Sequence, residues 1–166
     1  MSIISFIKEA GEKLFGHRDS PAAAAPADPA AQQAKAADAN QNAAKAIESY
    51  IKSQNLSANG LAVEYDGSQQ AVTVSGVAPD QATKEKIVLC CGNVQGIAKV
   101  NDMLTVEQPA DESRYYTVVK GDTLSAIAKK EYGNANAYMK IFEANKPMLS
   151  NPDKIYPGQL LRIPAA

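Results

Sequence analysis

The chain has no tryptophan, a single histidine and two cysteines, and aromatic residues make up only 6% of it. Each shortage closes a route. With His17 as its sole imidazole, the protein has no material for a His-rich metal site and poor material for a nucleophile activated by histidine. Cys90 and Cys91 are adjacent, and neighbours on a helix point in different directions, so an intramolecular disulfide is geometrically poor. A disulfide-stapled secreted domain is therefore not indicated. Lys and Arg number 17 against 18 Asp and Glu, so no basic excess exists to neutralise phosphates and nucleic acid is not an expected partner. No stretch approaches the roughly 20 apolar residues of a membrane span. Nor do the carboxylates cluster. No loop offers the closely spaced Asp, Asn and Glu that calcium needs, and no phosphate-binding loop or dinucleotide fingerprint is present. The expectation is a protein that is not an enzyme. The N-terminus reads Met-Ser-Ile-Ile-Ser-Phe-Ile-Lys-Glu, a short apolar run with its charges after it. A secretory signal has the opposite order and a longer apolar core, so the expected location is cytoplasmic.

What the chain does have is a sequence of distinct registers. Over residues 1–15, Ile3, Ile7, Ala10, Gly11, Leu14 and Phe15 recur at helical spacing, with Lys8, Glu9, Glu12 and Lys13 on the other side. The pattern predicts a short amphipathic helix. It is marginal alone and must dock on something, either a membrane surface or the following domain. As many acids as bases line its polar side, which favours the domain. Residues 16–40 are an Ala/Pro-rich linker with Pro21, Pro26 and Pro29 and almost nothing to bury. Its later part, from Ala30, can be helical and run into the next element.

Residues 41–107 read as a small domain of order α-β-β-α-β. Ala43, Ile47, Tyr50 and Ile51 form a helical stripe. Leu61, Val63 and Tyr65 alternate with polar neighbours, as do Val72 and Val74 after the Asp66-Gly67 turn. Gly76 and Pro79 are expected to break the second strand, and Asp80 to cap a helix. That helix places Ile87, Cys90, Cys91 and Val94 inward, with Lys84, Glu85 and Lys86 toward solvent. A third strand follows from about Ala98 to Val106. This domain resembles the BON domain on the Val-Ser-Gly strand end and on Gly96-Ile97-Ala98-Lys99-Val100-Asn101-Asp102. Such domains are often associated with phospholipid membranes or envelope proteins.

After a polar linker at 108–114, residues 115–166 resemble a LysM domain in three blocks. These are Tyr115 to Ala128, Ile141-Phe142-Glu143-Ala144-Asn145, and Ile155 to Pro164. The pattern is β-α-α-β: a strand ending at Gly121, a helix capped by Asp122 and closed by Gly133, a second helix stopped by Pro147, and a Pro157-Gly158 turn into the last strand. The fold expected for the whole chain is α+β, two small domains in series. LysM modules commonly bind N-acetylglucosamine polymers such as peptidoglycan. The resemblance puts that groove between Gly121-Asp122-Thr123 and the loop 146–155. A cytoplasmic location favours a structural role for the module instead.

The stretch Leu89-Cys90-Cys91-Gly92-Asn93-Val94-Gln95-Gly96-Ile97 ends the BON helix. The last turn of a helix leaves carbonyl oxygens without intrahelical partners, with a combined partial charge of about −0.5. Glycines at the exit let the backbone turn and expose more oxygens. An uncharged oxygen cluster of this kind suits a large, weakly hydrated monovalent cation. On these residues alone, an ordinary helix cap is the simpler reading.

The combination narrows the choice. An N-terminal amphipathic segment, a BON domain and a LysM domain together resemble the cytoplasmic potassium-binding proteins of bacteria. The resemblance is carried by Phe6-Ile7-Lys8-Glu9-Ala10-Gly11-Glu12-Lys13-Leu14, by Glu85-Lys86-Ile87 and by Gly92-Asn93-Val94-Gln95-Gly96-Ile97. It implies a monomer that binds K+ selectively as a sensor or buffer, other large monovalent cations being left open, with domains that close on the ion. The implied ligands are backbone carbonyls of Ile7, Ala10, Cys91, Gly92, Val94 and Ile97. Cys91 stands where the family usually has a plain aliphatic residue, a change that a backbone ligand tolerates. The two competing readings are a glycan-binding envelope protein and a peripheral membrane protein.

Overall fold

The computed structural model describes residues 2–5 and 29–166. Ser2–Ser5 form a strand, β1, and not the start of a helix. The reason is both local and tertiary. Two β-branched isoleucines favour extended backbone, and the edge of a later strand offers free ladder groups that a marginal helix of this length cannot match. Residues 6–15, the rest of the expected helix, lie outside the described residues.

Helix α1 runs Pro29–Ser53. Proline sits at its first position, where a missing N–H costs nothing. Its buried stripe is Ala43, Ala44, Ile47 and Ile51, spaced as one helix face. Strands β2 (Asn59–Asp66) and β3 (Ala71–Asp80) form an antiparallel hairpin. Asp66 Oδ1 stabilises the turn by accepting from both the backbone N–H and the hydroxyl of Ser68. Helix α2 (Gln81–Gly92) then carries the chain across to β4 (Lys99–Gln108), parallel to β3. The sheet order is β1-β4-β3-β2.

Strand β3 does not stop at Gly76. It stays in register with β4 from Ala71↔Lys99 to Asp80↔Gln108, passing over Pro79. Gly76 makes this continuation feasible: its φ is +138°, and a Cβ there would sit 3.1 Å from both the Asn59 carbonyl oxygen and Leu61 Cα. No other residue admits that approach at that dihedral. Asp80 caps α2 as expected, its Oδ1 accepting from Thr83 N–H at 2.6 Å.

The second unit pairs β5 (Arg114–Thr117) antiparallel with β6 (Leu160–Ile163) and packs α3 (Leu124–Tyr132) and α4 (Tyr138–Ala144) on them. Two details differ from expectation. The first strand ends at Thr117, and the cap of α3 is Thr123, whose hydroxyl accepts from Ala126 N–H. Asp122 instead braces the preceding turn, accepting from the Tyr116 hydroxyl at 2.8 Å and from Val119 N–H at 3.0 Å. Gly133 closes α3 in the left-handed conformation, φ +72°. Among the described residues two apolar clusters form, one per unit, but Leu160 of β6 belongs to the first, with Ile87, Cys90 and Val94. The units therefore share a packed boundary.

Candidate functional site

The exit of α2 is buried. Leu89, Cys90, Cys91, Val94 and Ile97 are each no more than 1% exposed, and Asn93 is 4% exposed. No basic side chain lies in the last turn of α2. Nothing of the chain's own in that turn offsets the negative end of the helix dipole. The turn that follows is pinned by backbone bonds. Asn93 N–H donates to the Leu89 carbonyl at 3.0 Å, and Val94 N–H and Ile97 N–H donate to the Cys91 and Val94 carbonyls, both at 3.3 Å. These last two are long for N–H···O bonds, and each carbonyl oxygen has a second lone pair. Beyond them, Ala98 N–H and Lys99 N–H both donate to the Gln70 carbonyl, which ties the loop to the β2–β3 hairpin. Gly96 has φ +89° in open space, so glycine is needed there for its dihedral and not for room.

Four of the six expected ligand residues, Cys91, Gly92, Val94 and Ile97, thus share one short, buried turn. Ile7 and Ala10 lie outside the described residues. The strand that leads toward them ends close by: Ser5 pairs with Lys99, two residues past Ile97. The thiols take no part as anions, since burial pushes Cys90 up to about 12 and Cys91 higher still. Among the described residues, no group of three or more His, Cys, Asp or Glu is placed to hold a metal ion.

The same turn is seized from the other unit. The Asn93 side chain donates to the Leu160 carbonyl and accepts from Leu160 N–H, both at 2.9 Å. One helical stretch earlier, Glu85 is 3% exposed. It was expected to face solvent. Instead it accepts from Gln81 Nε2 at 2.9 Å, from Ser113 N–H at 2.7 Å and from Arg162 Nε of β6. Burial alone raises the Glu85 carboxyl pKa, but these donors outweigh it and hold the group below its ordinary value. A cleft of about 170 Å³ opens on this seam, lined by Tyr50, Asn93, Met148, Ser150, Tyr156 and Gln159 among others.

Reading the chain in order misses Asn93 and Glu85 as contact residues, yet signals exist. Leu160-Leu161-Arg162-Ile163 is an almost unbroken apolar run, and all four are buried. A strand covered on both faces must give its one arginine an acidic partner inside. Gln81 stands four residues before Glu85, the spacing at which helical side chains meet.

A BON domain model matches residues 38–108 and a LysM domain model matches residues 116–164. The chain is 44% identical over 164 residues to the potassium binding protein Kbp of Escherichia coli, with 99% of each chain covered. It is 36% identical over 132 residues to an uncharacterized protein of Deinococcus radiodurans, covering 73% of this chain and 51% of that one. The chain belongs to the family of BON–LysM proteins that includes the potassium binding protein Kbp.

Proposed function

We propose that this protein binds K+ through backbone carbonyls at the exit of α2 and in the segment after β1, and acts as a non-enzymatic, monomeric K+ sensor or buffer in the cytoplasm. The observation that carries this reading is the 44% identity to a potassium binding protein over 99% of both chains. The site chemistry supports it. Neutral carbonyl oxygens at a helix end whose last turn carries no basic side chain attract a cation, and among the described residues no carboxylate cluster of the kind divalent ions need is present. A large monovalent ion, which sheds its water at least cost, suits such a ligand set.

The proposed ligands are the carbonyls of Cys91, Gly92, Val94 and Ile97, completed by those of Ile7 and Ala10. Chain connectivity allows residue 7 no more than about 7 Å from Ser5, and Ser5 is paired opposite Lys99 at the end of the same loop. An ion shared between two stretches so far apart in sequence favours the arrangement in which they meet. It would thereby draw the domains together by binding one state and not the other.

Titration calorimetry of the full chain in buffer free of both K+ and Na+ tests the reading. Heat on adding K+ and none on adding Na+ is expected, with the K+ response abolished by deleting residues 1–15. Absence of a K+ response in the full chain overturns the reading. Retained affinity in the truncation removes Ile7 and Ala10 from the ligand set.

A further inference from the structure

Asn93 lies between two proposed ligand residues, Gly92 and Val94, and it alone of the three sends a side chain to the other domain in a two-point contact. Its amide meets one residue of β6 with both its donor and its acceptor, Nδ2 to the Leu160 carbonyl and Oδ1 from the Leu160 N–H, at 2.9 Å each. That is the pairing a neighbouring strand would make. Its backbone is held as well. Because a trans peptide is planar, with N–H and C=O on opposite sides, the Asn93 N–H that points back to the Leu89 carbonyl turns the Gly92 carbonyl forward, out of the helix end. Likewise Val94 N–H, donating to the Cys91 carbonyl, sets the direction of the Asn93 carbonyl. The orientation of these two peptide planes and the seat of the Asn93 side chain on β6 are therefore one geometric unit. The contact is buried: Asn93 is 4% and Leu160 3% exposed.

We infer that Asn93 is a positioning residue that locks the ion-binding turn to the LysM domain, so that ion affinity and the Asn93–Leu160 clamp are two sides of one equilibrium. This rests on the K+ reading given above. In the state where the clamp is formed it restrains the turn and spares the ion that ordering cost. By linkage the ion must tighten the clamp in return.

Two measurements on the full chain test it. Asn93→Ala should retain its fold by circular dichroism and bind K+ about tenfold more weakly, the size set by one to two net hydrogen bonds. In the unaltered protein, the Leu160 amide, which donates to Asn93 Oδ1, should exchange its hydrogen more slowly as K+ is added, with Na+ at equal ionic strength leaving it unchanged. Wild-type affinity in Asn93→Ala overturns the inference. So does a Leu160 amide indifferent to K+ in a protein that binds K+ by calorimetry, a result that needs no variant and leaves the K+ reading intact. A full chain with no K+ response in calorimetry fails the underlying reading instead, and the clamp role falls with it.

Discussion

Glu85 and Arg162, 77 positions apart in the chain, form a buried ion pair that joins the BON helix to the last LysM strand. Their side chains are 4% and 11% exposed. A carboxylate taken this far from water needs more than one donor, and Glu85 has Gln81 and Ser113 besides Arg162.

Breaking that pair from one side leaves a charge stranded in the seam. Glu85→Met and Arg162→Met should each lower unfolding free energy by about 3 kcal/mol. The double variant should lose far less than the sum, because no buried charge is left unpaired. Urea unfolding of the three variants measures the coupling, and additive losses would show that the pair contributes nothing as a pair.

The same carboxylate makes stability depend on pH. Burial pushes the Glu85 pKa up, but the bonds from Gln81, Ser113 and Arg162 bring it below the ordinary value. A group with a depressed folded pKa adds stability that is fully present above its unfolded pKa, near about 4.3, and lost as pH falls through the lower folded value. Thermal unfolding at fixed K+ should therefore show the wild-type chain losing its advantage over Glu85→Gln as pH falls from about 5 toward 3. Parallel curves over that range would remove Glu85 from the acid response.

Substitutions in the turn should separate backbone from side-chain roles. Cys91→Ala keeps the carbonyl and removes a buried thiol, so K+ affinity should change by less than about twofold while stability falls by about 1 kcal/mol. Gly96→Ala meets no neighbour within 4 Å but must adopt φ +89°, a strain of about 1–3 kcal/mol. It should weaken K+ binding more than Cys91→Ala does, although it removes no ligand. Calorimetry on both decides this, and the reverse order would point to the thiol.

Much of the architecture was legible from spacing. The stripe of Ala43, Ile47 and Ile51, the alternation in β2, the Asp80 cap and the Gly133 stop are local facts, and each appears where the pattern places it. The misses are of another kind. Ser2–Ser5 pair with β4, Glu85 turns inward, and Thr123 caps α3 while Asp122 serves Tyr116 and Val119. In each case a group had two chemically reasonable partners. For Ser2–Ser5 and Glu85 distant chain chose between them, and for Asp122 and Thr123 the choice fell within six residues, between two adjacent oxygen-bearing side chains.

The linear order of residues was sufficient for the two-module α+β plan and for a glycine-flanked helix exit without a basic residue, since periodicity and turn chemistry act over a few positions. Folding in three dimensions decided that β6 docks on α2 through Asn93 at that exit and through the Glu85–Arg162 pair before it, and that Ser2–Ser5 pair along β4. Those choices depend on hydrogen bonds and buried charges satisfied across tens of residues, and no local pattern carries that information.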